Sequence, residues 1–440
     1  MLKTFKGGLH IDDCKTSTNK IPIRVIDGGK VHVFPLQQHI GAPLEPTVAK
    51  GDSVKVGDVI ADNKNAFLTV PLHSSVSGTV TAVEPRLSPT GAKVTSIVIE
   101  NDGLYELSEK VCPKNPDKMS PQEIIAVIRD AGIVGMGGAG FPTHVKLSPP
   151  KDKKISHVIV NGAECEPYLT SDHRRMLESP GDIIDGLKIA MKALGLTEGY
   201  IGIEVNKPDA IEMMKKTAEK EGNIHIVPLK TKYPQGAEKQ LIYAVTKRQV
   251  PSGGLPADAG AVVINIDTAA QISMAFRTGI PLIDRIVTLS GDCMANQCNL
   301  QVRCGMMFDE VIAAAGGLQG EMKKLLMGGP MMGIAQYTTE VPVIKTTSAI
   351  LALSKAEVGY DADSPCIRCG KCVDHCPMHL MPVVLNTVID RGDLEAAEKN
   401  NVMDCIECGI CSYLCPGKKS PLNNIRLAKQ QINENRRKNK

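Results

Sequence analysis

Eight of the fourteen cysteines in this chain fall into one spacing pattern that occurs twice. In each run three cysteines are separated by two residues, and a fourth follows after three intervening residues and precedes a proline. The runs are Cys366, Cys369, Cys372 and Cys376, then Cys405, Cys408, Cys411 and Cys415. Thiolates in this spacing hold [4Fe–4S] clusters, and the fourth cysteine of each run binds the other cluster. We therefore expect crossed ligand sets, with Cys415 joining the first run and Cys376 the second.

Structural zinc is the alternative use of such closely spaced cysteines. Zinc ribbons rarely carry the third closely spaced cysteine or the Cys-Pro pair that ends each run here. The pattern therefore favours a protein that moves single electrons.

Length and composition exclude several other classes. The 440 residues are enough for about three domains, and 42% hydrophobic and 22% charged residues are typical of a folded soluble protein. A net charge of only +3 and the absence of tryptophan make a nucleic-acid partner unexpected. The N terminus has no signal-peptide core, and no apolar run reaches the ~18 residues of a membrane span. We expect a cytoplasmic protein that reaches a membrane only through partners.

A glycine-rich loop is a second candidate site. Four glycines occur from Gly135 to Gly140, and Lys146 follows six residues later. Glycine lets the backbone approach a ligand and direct N–H groups at phosphate, and the lysine adds a cation. The loop departs from the context of the dinucleotide-binding fingerprint, because no strand of the usual kind precedes it. Such loops are also ordinary turns, so the loop alone does not establish a site.

Two carboxylates follow a predicted buried strand at residues 158–161. Glu164 and Glu166 belong to the sequence Asn-Gly-Ala-Glu-Cys-Glu-Pro, residues 161–167. Open α/β sheets bind ligands at the carboxyl ends of their strands, and carboxylates accept hydrogen bonds from ribose hydroxyls or a carboxamide. The turn is compatible with a nucleotide site and equally with an acidic surface turn.

The elements that position these residues follow from periodicity. Residues 21–99 are predicted as short strands of a barrel-sandwich similar to lipoyl carriers, with Lys64 as a surface lysine. After Ser120, helices alternate with strands, which indicates a parallel α/β sheet. The predicted helices are 124–130, 180–194 and 209–221, and the predicted strands are 158–161, 200–205 and 224–229.

The last third of the chain is less regular. Residues 271–347 mix short strands with a helix at 308–315. One helical stretch at 382–399 is expected between the cysteine runs. The basic tail is expected to be a solvated helix rather than a lipid- or partner-binding segment.

The order of four motifs resembles the flavin subunit of respiratory complex I. They are the glycine-rich loop, the turn at 161–167, Tyr233-Pro234-Gln235-Gly236-Ala237-Glu238 and Asn265-Ile266-Asp267-Thr268. The β-rich module in front and the tandem cysteine runs behind make nearly the whole chain similar to the C subunits of the Rnf electron transport complexes. The Gly-Gly-Pro-Met-Met-Gly sequence at 328–333 fits the same family.

This resemblance implies a multidomain α/β and α+β fold. It would comprise a barrel-sandwich module (1–115), a Rossmann-like FMN and NAD domain (116–270) and a β-grasp domain of the soluble-ligand-binding type (271–350). A ferredoxin-like domain with two [4Fe–4S] clusters (355–422) and the basic tail (423–440) would follow.

The resemblance also implies roles for single residues. The isoalloxazine ring and phosphate would be lined by Gly135, Gly137, Gly138 and Ala139. The non-covalent FMN site would be completed by Lys146, Asn161, Glu164, Tyr233, Gly236, Asn265 and Thr268. NAD(H) would be held by Phe141, Glu166 and Glu238. The complex I subunit has an acidic residue at the position of Ala237 and one cluster rather than two, so the NAD(H) assignments rest on fewer matches.

The expected function follows from the parts, because FMN exchanges two electrons with NAD(H) and one with a cluster. No side chain is expected to act as acid or base. In the Rnf family such a subunit lies on the cytoplasmic side of the membrane and passes electrons between ferredoxin-derived carriers and NAD⁺. Partner subunits, including a ferredoxin-reactive iron–sulfur subunit and integral membrane subunits, couple this to Na⁺ or H⁺ translocation. A soluble flavin and iron–sulfur NADH reductase such as a cobalamin reductase, and a non-enzymatic electron relay, remain alternatives.

Six cysteines lie outside the two runs and are expected to be buried or incidental thiols. They are Cys14, Cys112, Cys165, Cys293, Cys298 and Cys304. Cys165 stands between two carboxylates, so we expect a raised thiol pKa and no thiolate chemistry.

Overall fold

A computed structural model describes residues 2–358 and 364–438 of the chain. Within these residues the strands form four sheets, and a helical lobe carries the cysteine runs. No helix of the described part is both long and apolar enough to cross a lipid bilayer.

The N-terminal module packs two antiparallel sheets against each other. One sheet has the order β2-β8-β7-β4 and the other β3-β5-β6. Their strands are β2 (Val31–Pro35), β3 (Glu45–Pro46), β4 (Ser53–Val54), β5 (Val59–Asp62), β6 (Leu72–His73), β7 (Gly78–Leu87) and β8 (Lys93–Asn101), and β1 (Arg24–Val25) precedes them in the chain. Apolar side chains such as Phe34, Ile60 and Ile97 are fully buried between the sheets. Lys64 is exposed, as expected.

The second unit is a four-stranded parallel sheet of order β11-β10-β9-β12, with helices on both faces. Its elements are α1 (Pro121–Asp130), α2 (Thr143–Lys146), β9 (His157–Gly162), α3 (Ser171–Glu178), α4 (Pro180–Leu194), β10 (Gly199–Glu204), α5 (Pro208–Ala218), β11 (Ile224–Leu229), α6 (Glu238–Thr246), β12 (Ala261–Asn265) and α7 (Ile266–Arg277). Ser120 caps α1 in a reciprocal capping box with Glu123. The predicted alternation of helices and strands is therefore confirmed.

The central strands of this sheet determine where its loops meet. Ile159, Val160 and Ile264 are buried because both faces of the sheet are covered by helices. Asn161 at the end of β9 pairs in register with Asn265 at the end of β12. The turn after β9 and the first turn of α7 consequently lie side by side at the carboxyl edge of the sheet.

A six-stranded mixed sheet follows, in the order β1-β14-β13-β17-β15-β16. Its further elements are β13 (Asp284–Ser290), β14 (Cys298–Arg303), α8 (Phe308–Ala314), β15 (Met322–Met327), β16 (Ile334–Gln336), β17 (Ala349–Ser354) and α9 (Lys355–Val358). Strand β1 pairs in parallel with β14, so the N-terminal segment contributes to this sheet as well. The predicted division at 270/271 falls inside α7, and β17 extends beyond residue 350.

The C-terminal lobe is helical. It contains α10 (Lys371–Asp374), α11 (Pro382–Asp390), α12 (Leu394–Lys399), α13 (Ile410–Tyr413) and α14 (Pro421–Lys438). The single helical stretch predicted at 382–399 is two helices, because Gly392 has a φ of +75° and the Asp393 side chain caps α12. The tail is also not fully solvated. Ile425, Ala428 and Ile432 recur at helical spacing and are buried on α14.

Candidate functional site

Three loops meet at the carboxyl edge of the parallel sheet. The Asn161 amide after β9 donates to the backbone oxygen of Gly236 in the loop before α6, at 2.8 Å. Asn265 caps α7, because its side-chain oxygen accepts from the backbone N–H groups of Asp267 and Thr268. The structure thus brings together the predicted residues Asn161, Gly236, Asn265 and Thr268.

The glycine-rich loop is attached to this edge through α7. The Met136 backbone N–H donates to the Thr268 hydroxyl at 3.0 Å. A Cβ atom at Gly137 would lie 2.7 Å from the Asn265 amide nitrogen, whereas a Cβ at Gly138 would meet nothing within 4 Å. Gly138 and Ala139 are exposed. The loop therefore presents an open backbone surface beside the ends of β9 and β12.

Lys146 and Glu238 form an ion pair across the loops. The Lys146 ammonium lies 2.7 Å from a carboxylate oxygen of Glu238 and donates to the Val263 backbone oxygen at 3.0 Å. The residues expected to hold flavin and NAD(H) separately are thus direct partners here. Phe141 is half-buried, and its carbonyl closes the glycine-rich loop by accepting from the Gly135 N–H at 2.9 Å.

Glu164 has an unusual backbone and a buried side chain. Its φ is +43°, a conformation that costs a non-glycine residue on the order of 1 kcal/mol or more. One carboxylate oxygen accepts from the Asp172 N–H at 2.7 Å. The other is buried with no hydrogen-bond partner among the described residues, although the Lys15 ammonium lies 3.7 Å away. A buried carboxylate oxygen without a partner is a feature that a bound ligand would satisfy.

Two buried lysines bind backbone carbonyl groups of the turn at residues 161–167. The Lys207 ammonium donates to the Ala163 carbonyl at 2.6 Å, and the Lys15 ammonium donates to the Glu166 carbonyl at 2.9 Å. Lys207 is 0% and Lys15 3% exposed. The sequence interpretation missed both, because they lie 44 and 151 residues from the carbonyls they bind and neither belongs to a motif. Only the fold brings them to this turn.

Glu166 and Tyr233 lie between the parallel sheet, the six-stranded sheet and the cysteine lobe. One Glu166 oxygen accepts from the Met331 N–H at 3.1 Å, and the other lies 3.3 Å from the Tyr233 hydroxyl. Burial raises the pKa of Glu166 to about 7. The Tyr233 hydroxyl donates to the Cys408 backbone oxygen at 2.8 Å. Tyr233 therefore contacts the second cysteine run directly.

Asp172 is a further buried carboxyl group at this site, and it was not predicted. The Asn265 amide donates to it at 2.6 Å. Burial, then the charges of Glu164 and Asp267, raise the pKa of Asp172 to about 8, while Arg285 opposes them. Asp267 itself is paired with Arg175 and Arg285.

Stability should therefore depend on pH through Asp172. Its folded-state pKa lies above the unfolded value near 4, so its contribution is complete at low pH and is lost as pH rises towards 8. We expect the Tm of Asp172→Asn, relative to wild type, to increase by about 2 °C or more between pH 5 and pH 8. Thermal melts across this range measure it. A Tm difference that is constant or shrinks with pH would contradict the expectation.

The thiols of the second run lie together with Cys376. The charge of Cys376 acts on each of Cys405, Cys408 and Cys411. Burial, followed by the neighbouring Cys405 and Cys376, raises the pKa of Cys408 to about 12. Crossed ligand sets require this proximity of the fourth cysteine of one run to the other run.

The first run is more exposed. Cys366 and Cys369 are exposed, and Cys372 is partly buried. The Ser364 N–H donates to the Gly417 carbonyl at 3.0 Å, which brings the end of the second run beside the start of the first. Among the described residues no three Cys, His, Asp or Glu side chains converge closely enough to hold a single metal ion. A four-iron cluster is wider than one ion and holds its thiolates further apart.

The buried second run adjoins the sheet loops through several contacts. Besides the Tyr233 contact, the Gln240 amide of α6 donates to the Pro377 carbonyl at 3.1 Å. The N-terminal segment lies between the two parts, since Gly8 donates to the His375 carbonyl and Leu9 to the Tyr233 carbonyl. Electron donors and acceptors bound at the two places would be close neighbours.

The residues present fit a flavin nucleotide and two clusters. The open glycine-rich loop offers backbone N–H groups, and a Glu164 oxygen and both polar atoms of the Gln235 side chain are buried without a partner in the described chain. All eight cysteines of the runs are free thiols, the ligand type that iron–sulfur clusters take. Gln235 belongs to the motif at 233–238 but was given no role there, and Asp172 lies outside the four motifs.

The six cysteines outside the runs differ in burial, since Cys112 is exposed and Cys14 and Cys165 are partly buried. Cys293, Cys298 and Cys304 are buried. Burial, and then the charge of Glu204, raises the pKa of Cys165 far above its usual value, which confirms the expectation for this thiol.

Four domain families match the chain in the predicted order. They are the RnfC barrel sandwich hybrid domain at residues 3–104, the Nuo51 FMN-binding domain at 128–274, the SLBB domain at 286–335 and a 4Fe-4S dicluster domain at 358–416. These matches confirm the predicted fold class. They also establish the cofactors, since the chain contains both a flavin-binding and a two-cluster domain.

Similar proteins agree along almost the full length. The C subunit of the Na(+)-translocating ferredoxin:NAD(+) oxidoreductase complex of Acetobacterium woodii is 48% identical over 99% of this chain and 98% of its own. The C subunit of the proton-translocating ferredoxin:NAD(+) oxidoreductase complex of Clostridium ljungdahlii is 48% identical over 98% and 94%.

A solved structure shares the fold alone. An NAD+-reducing [NiFe]-hydrogenase in the H2-reduced state aligns with a TM-score of 0.50 at 17% identity, over 72% of this chain and 62% of that one. The present chain thus spans less than two thirds of that protein.

Full-length identity to the C subunits decides the family: this chain is a member of the RnfC family, the C subunits of ion-translocating ferredoxin:NAD(+) oxidoreductase complexes.

Proposed function

We propose that this chain is the NAD(H)-reactive subunit of a membrane complex. It would pass electrons between NAD(H) and ferredoxin-derived carriers, from the cytoplasmic side, while integral membrane partners translocate the ion. The two C subunits described above are equally similar to this chain and are named for Na⁺ and for protons, so the proposal covers both ions. The main observation in support of this proposal is the buried 2.8 Å hydrogen bond from the Tyr233 hydroxyl to the Cys408 backbone oxygen. It joins the carboxyl edge of the parallel sheet to the second cysteine run.

The glycine-rich loop and the sheet edge would bind FMN. Bound FMN supplies the exchange between hydride and single-electron transfer. Gly135, Gly137, Gly138 and Ala139 would leave room for the flavin and its phosphate, and the backbone N–H groups would donate to it. Asn265 and Thr268 would keep this loop on α7, as their hydrogen bonds to it and to the first turn indicate. The remaining flavin contacts would come from Lys146, Asn161, Glu164, Tyr233 and Gly236.

NAD(H) would be held at the outer side of the same edge. Glu238 and Phe141 are partly accessible, and burial raises the pKa of Glu166 to about 7, so its carboxyl group is partly protonated near neutral pH. Only one carboxylate oxygen of Glu238 is paired with Lys146, so the other oxygen and the third N–H of the lysine remain available to a ligand. No residue here needs to donate a proton to the substrate or remove one from it.

The two clusters would occupy different positions in the electron-transfer path. We name the cluster of Cys405, Cys408, Cys411 and Cys376 the inner cluster, because it is buried against Tyr233. The cluster of Cys366, Cys369, Cys372 and Cys415 is the outer cluster, because two of its thiols are exposed. The order of transfer would therefore run between the flavin edge, the inner cluster, the outer cluster and a partner subunit.

Cofactor content and dye reduction test the proposal. Purified chain should hold about one FMN and eight iron atoms, and it should reduce an artificial dye with NADH. Clusters without flavin or dye reduction would instead support an electron relay. Flavin with full activity in a chain that never co-purifies with membrane subunits would support a soluble reductase such as a cobalamin reductase.

A further inference from the structure

The Gly-Gly-Pro-Met-Met-Gly sequence at residues 328–333 is a hairpin loop to which the proposed function gives no role. It joins β15 to β16, which pair in antiparallel fashion at the edge of the six-stranded sheet. The Gly328 N–H donates to the Ala349 carbonyl at 2.8 Å, and the Gly333 N–H donates to the Gly329 carbonyl at 2.8 Å. The first bond fixes the loop to the neighbouring strand β17, and the second closes the loop on itself.

Gly329 differs from the glycines at the two ends of this loop. Gly328 has a φ of +91°, and a Cβ atom at Gly333 would overlap the Gly329 carbonyl, so the turn itself requires glycine at both ends. A Cβ atom at Gly329 would instead overlap the carboxylate of Glu166 and lie 2.7 Å from the Glu166 Cβ. The missing side chain at 329 therefore makes room for a residue that belongs to the parallel-sheet unit.

The same loop binds the Glu166 carboxylate. The Met331 N–H donates to one of its oxygens at 3.1 Å, and the Met332 N–H also acts on this carboxylate. The other oxygen lies 3.3 Å from the Tyr233 hydroxyl. Each carboxylate oxygen can accept two hydrogen bonds, so Glu166 can accept from a ligand while the loop holds it.

The second cysteine run supports the loop from its other side. A Cβ atom at Gly409 would lie 2.7 Å from the Met331 carbonyl oxygen. The Met331 side chain packs with Tyr233, Cys408 and Ile410. The N–H and the carbonyl of Met331 thus face two different parts of the molecule. Because the six-stranded sheet and the cysteine run both hold the loop, the loop can determine where the Glu166 carboxylate lies.

We infer that the loop at 328–333 is a positioning element for NAD(H) binding, which places the Glu166 carboxylate through the Met331 N–H and the bare backbone at Gly329. This inference rests on the proposed function, in which Glu166 contacts NAD(H). The loop touches no reacting atom and acts through Glu166. The six-stranded sheet thereby contributes to substrate affinity without contacting the substrate.

Gly329→Ala tests the inference in the steady-state kinetics of NADH-driven dye reduction. The added methyl group must displace the Glu166 carboxylate, so the KM for NADH should rise by about tenfold. The kcat should change by less than about twofold, because the glycine-rich loop is not moved. Gly181→Ala is the matched control, since this position is exposed on α4 and a Cβ atom there would meet nothing within 4 Å.

A double-mutant cycle with Glu166→Gly distinguishes positioning from a general effect on the fold. Glu166→Gly removes the side-chain atoms that a Cβ at 329 would meet. Adding Gly329→Ala to it should therefore change the KM by less than about twofold. A Gly329→Ala protein that loses FMN or iron should regain both in the double variant. An equal rise in KM in both backgrounds, or a double variant that regains neither cofactor, would overturn the inference.

The single variants separate the loop from the proposed function. An unchanged KM in Gly329→Ala, beside a raised KM in Glu166→Gly, would reject the positioning loop alone. An unchanged KM in Glu166→Gly would reject the proposed contact between Glu166 and NAD(H), and the inference with it. Absence of NADH-driven dye reduction in the wild-type chain would reject the proposed function as a whole.

Discussion

Replacing Cys376 by serine is expected to remove the inner cluster and spare the outer one, although Cys376 belongs to the first run. Its thiol lies with Cys405, Cys408 and Cys411, and it is buried like Cys408. Since the inner cluster adjoins Tyr233, its loss interrupts the path beside the flavin edge. NADH-dependent reduction of the partner should fall by roughly a hundredfold or more. NADH-driven dye reduction should persist, because a small dye reacts at the flavin itself.

Iron analysis and electron paramagnetic resonance of the reduced protein measure the outcome. Cys376→Ser should lose about half of the iron and the signal of one cluster. Cys415→Ser should produce the mirror result, with loss of the outer cluster. Cys112→Ser, at an exposed cysteine outside both runs, is the control and should retain both. If Cys376→Ser lost the cluster of Cys366, Cys369 and Cys372, the crossed assignment would be wrong.

The cluster segment was the part of the molecule most accessible from sequence, for a physical reason. Cluster ligands come from short local runs, so the spacing of the cysteines along the chain already determines how they can surround a cluster. The same holds for the capping box at Ser120 and for the buried strand that ends at Gly162, since both depend on neighbouring residues.

Features that depend on distant residues were not predicted. The pair of Lys146 and Glu238 joins α2 to α6, and the sequence interpretation assigned its members to different ligands. Strand β1 is only two residues long, and it is a strand because it pairs in parallel with β14. The break at Gly392 was local and detectable, but the apolar pattern on either side of it obscured the glycine.

Single buried polar residues form the last group that sequence could not reveal. Lysine is usually a surface residue, so Lys15 and Lys207 gave no reason for attention. The parallel sheet places Lys207 just after the end of β10, next to the end of β9, and the N-terminal segment carries Lys15 to the same turn. Because both lysines are buried and donate to carbonyl groups of this turn, we infer that they hold Glu164 and Glu166 in position.

Lys207→Met is therefore expected to release FMN, although Lys207 is not among the proposed flavin contacts. Its ammonium donates to the Ala163 carbonyl at 2.6 Å and to the Asn206 side chain at 3.1 Å, and it lies 3.8 Å from the buried Glu204. Methionine fills a similar volume but leaves the Ala163 oxygen and the Glu204 carboxylate without their cation. Breaking a buried charged contact of this kind costs on the order of 3 kcal/mol or more.

The loss of stability should affect the turn at Glu164 first. The left-handed backbone conformation of Glu164 is strained and is kept only by its surrounding contacts. Relaxation of the turn would displace the Glu164 carboxylate, and FMN affinity should fall by at least about tenfold, the effect of ~1.4 kcal/mol. Flavin fluorescence, which increases on release, measures the dissociation constant. Lys216→Met, at an exposed position on α5, is the matched control. A Lys207→Met protein with wild-type FMN affinity and only a lower Tm would show that the lysine stabilises the fold without shaping the flavin site.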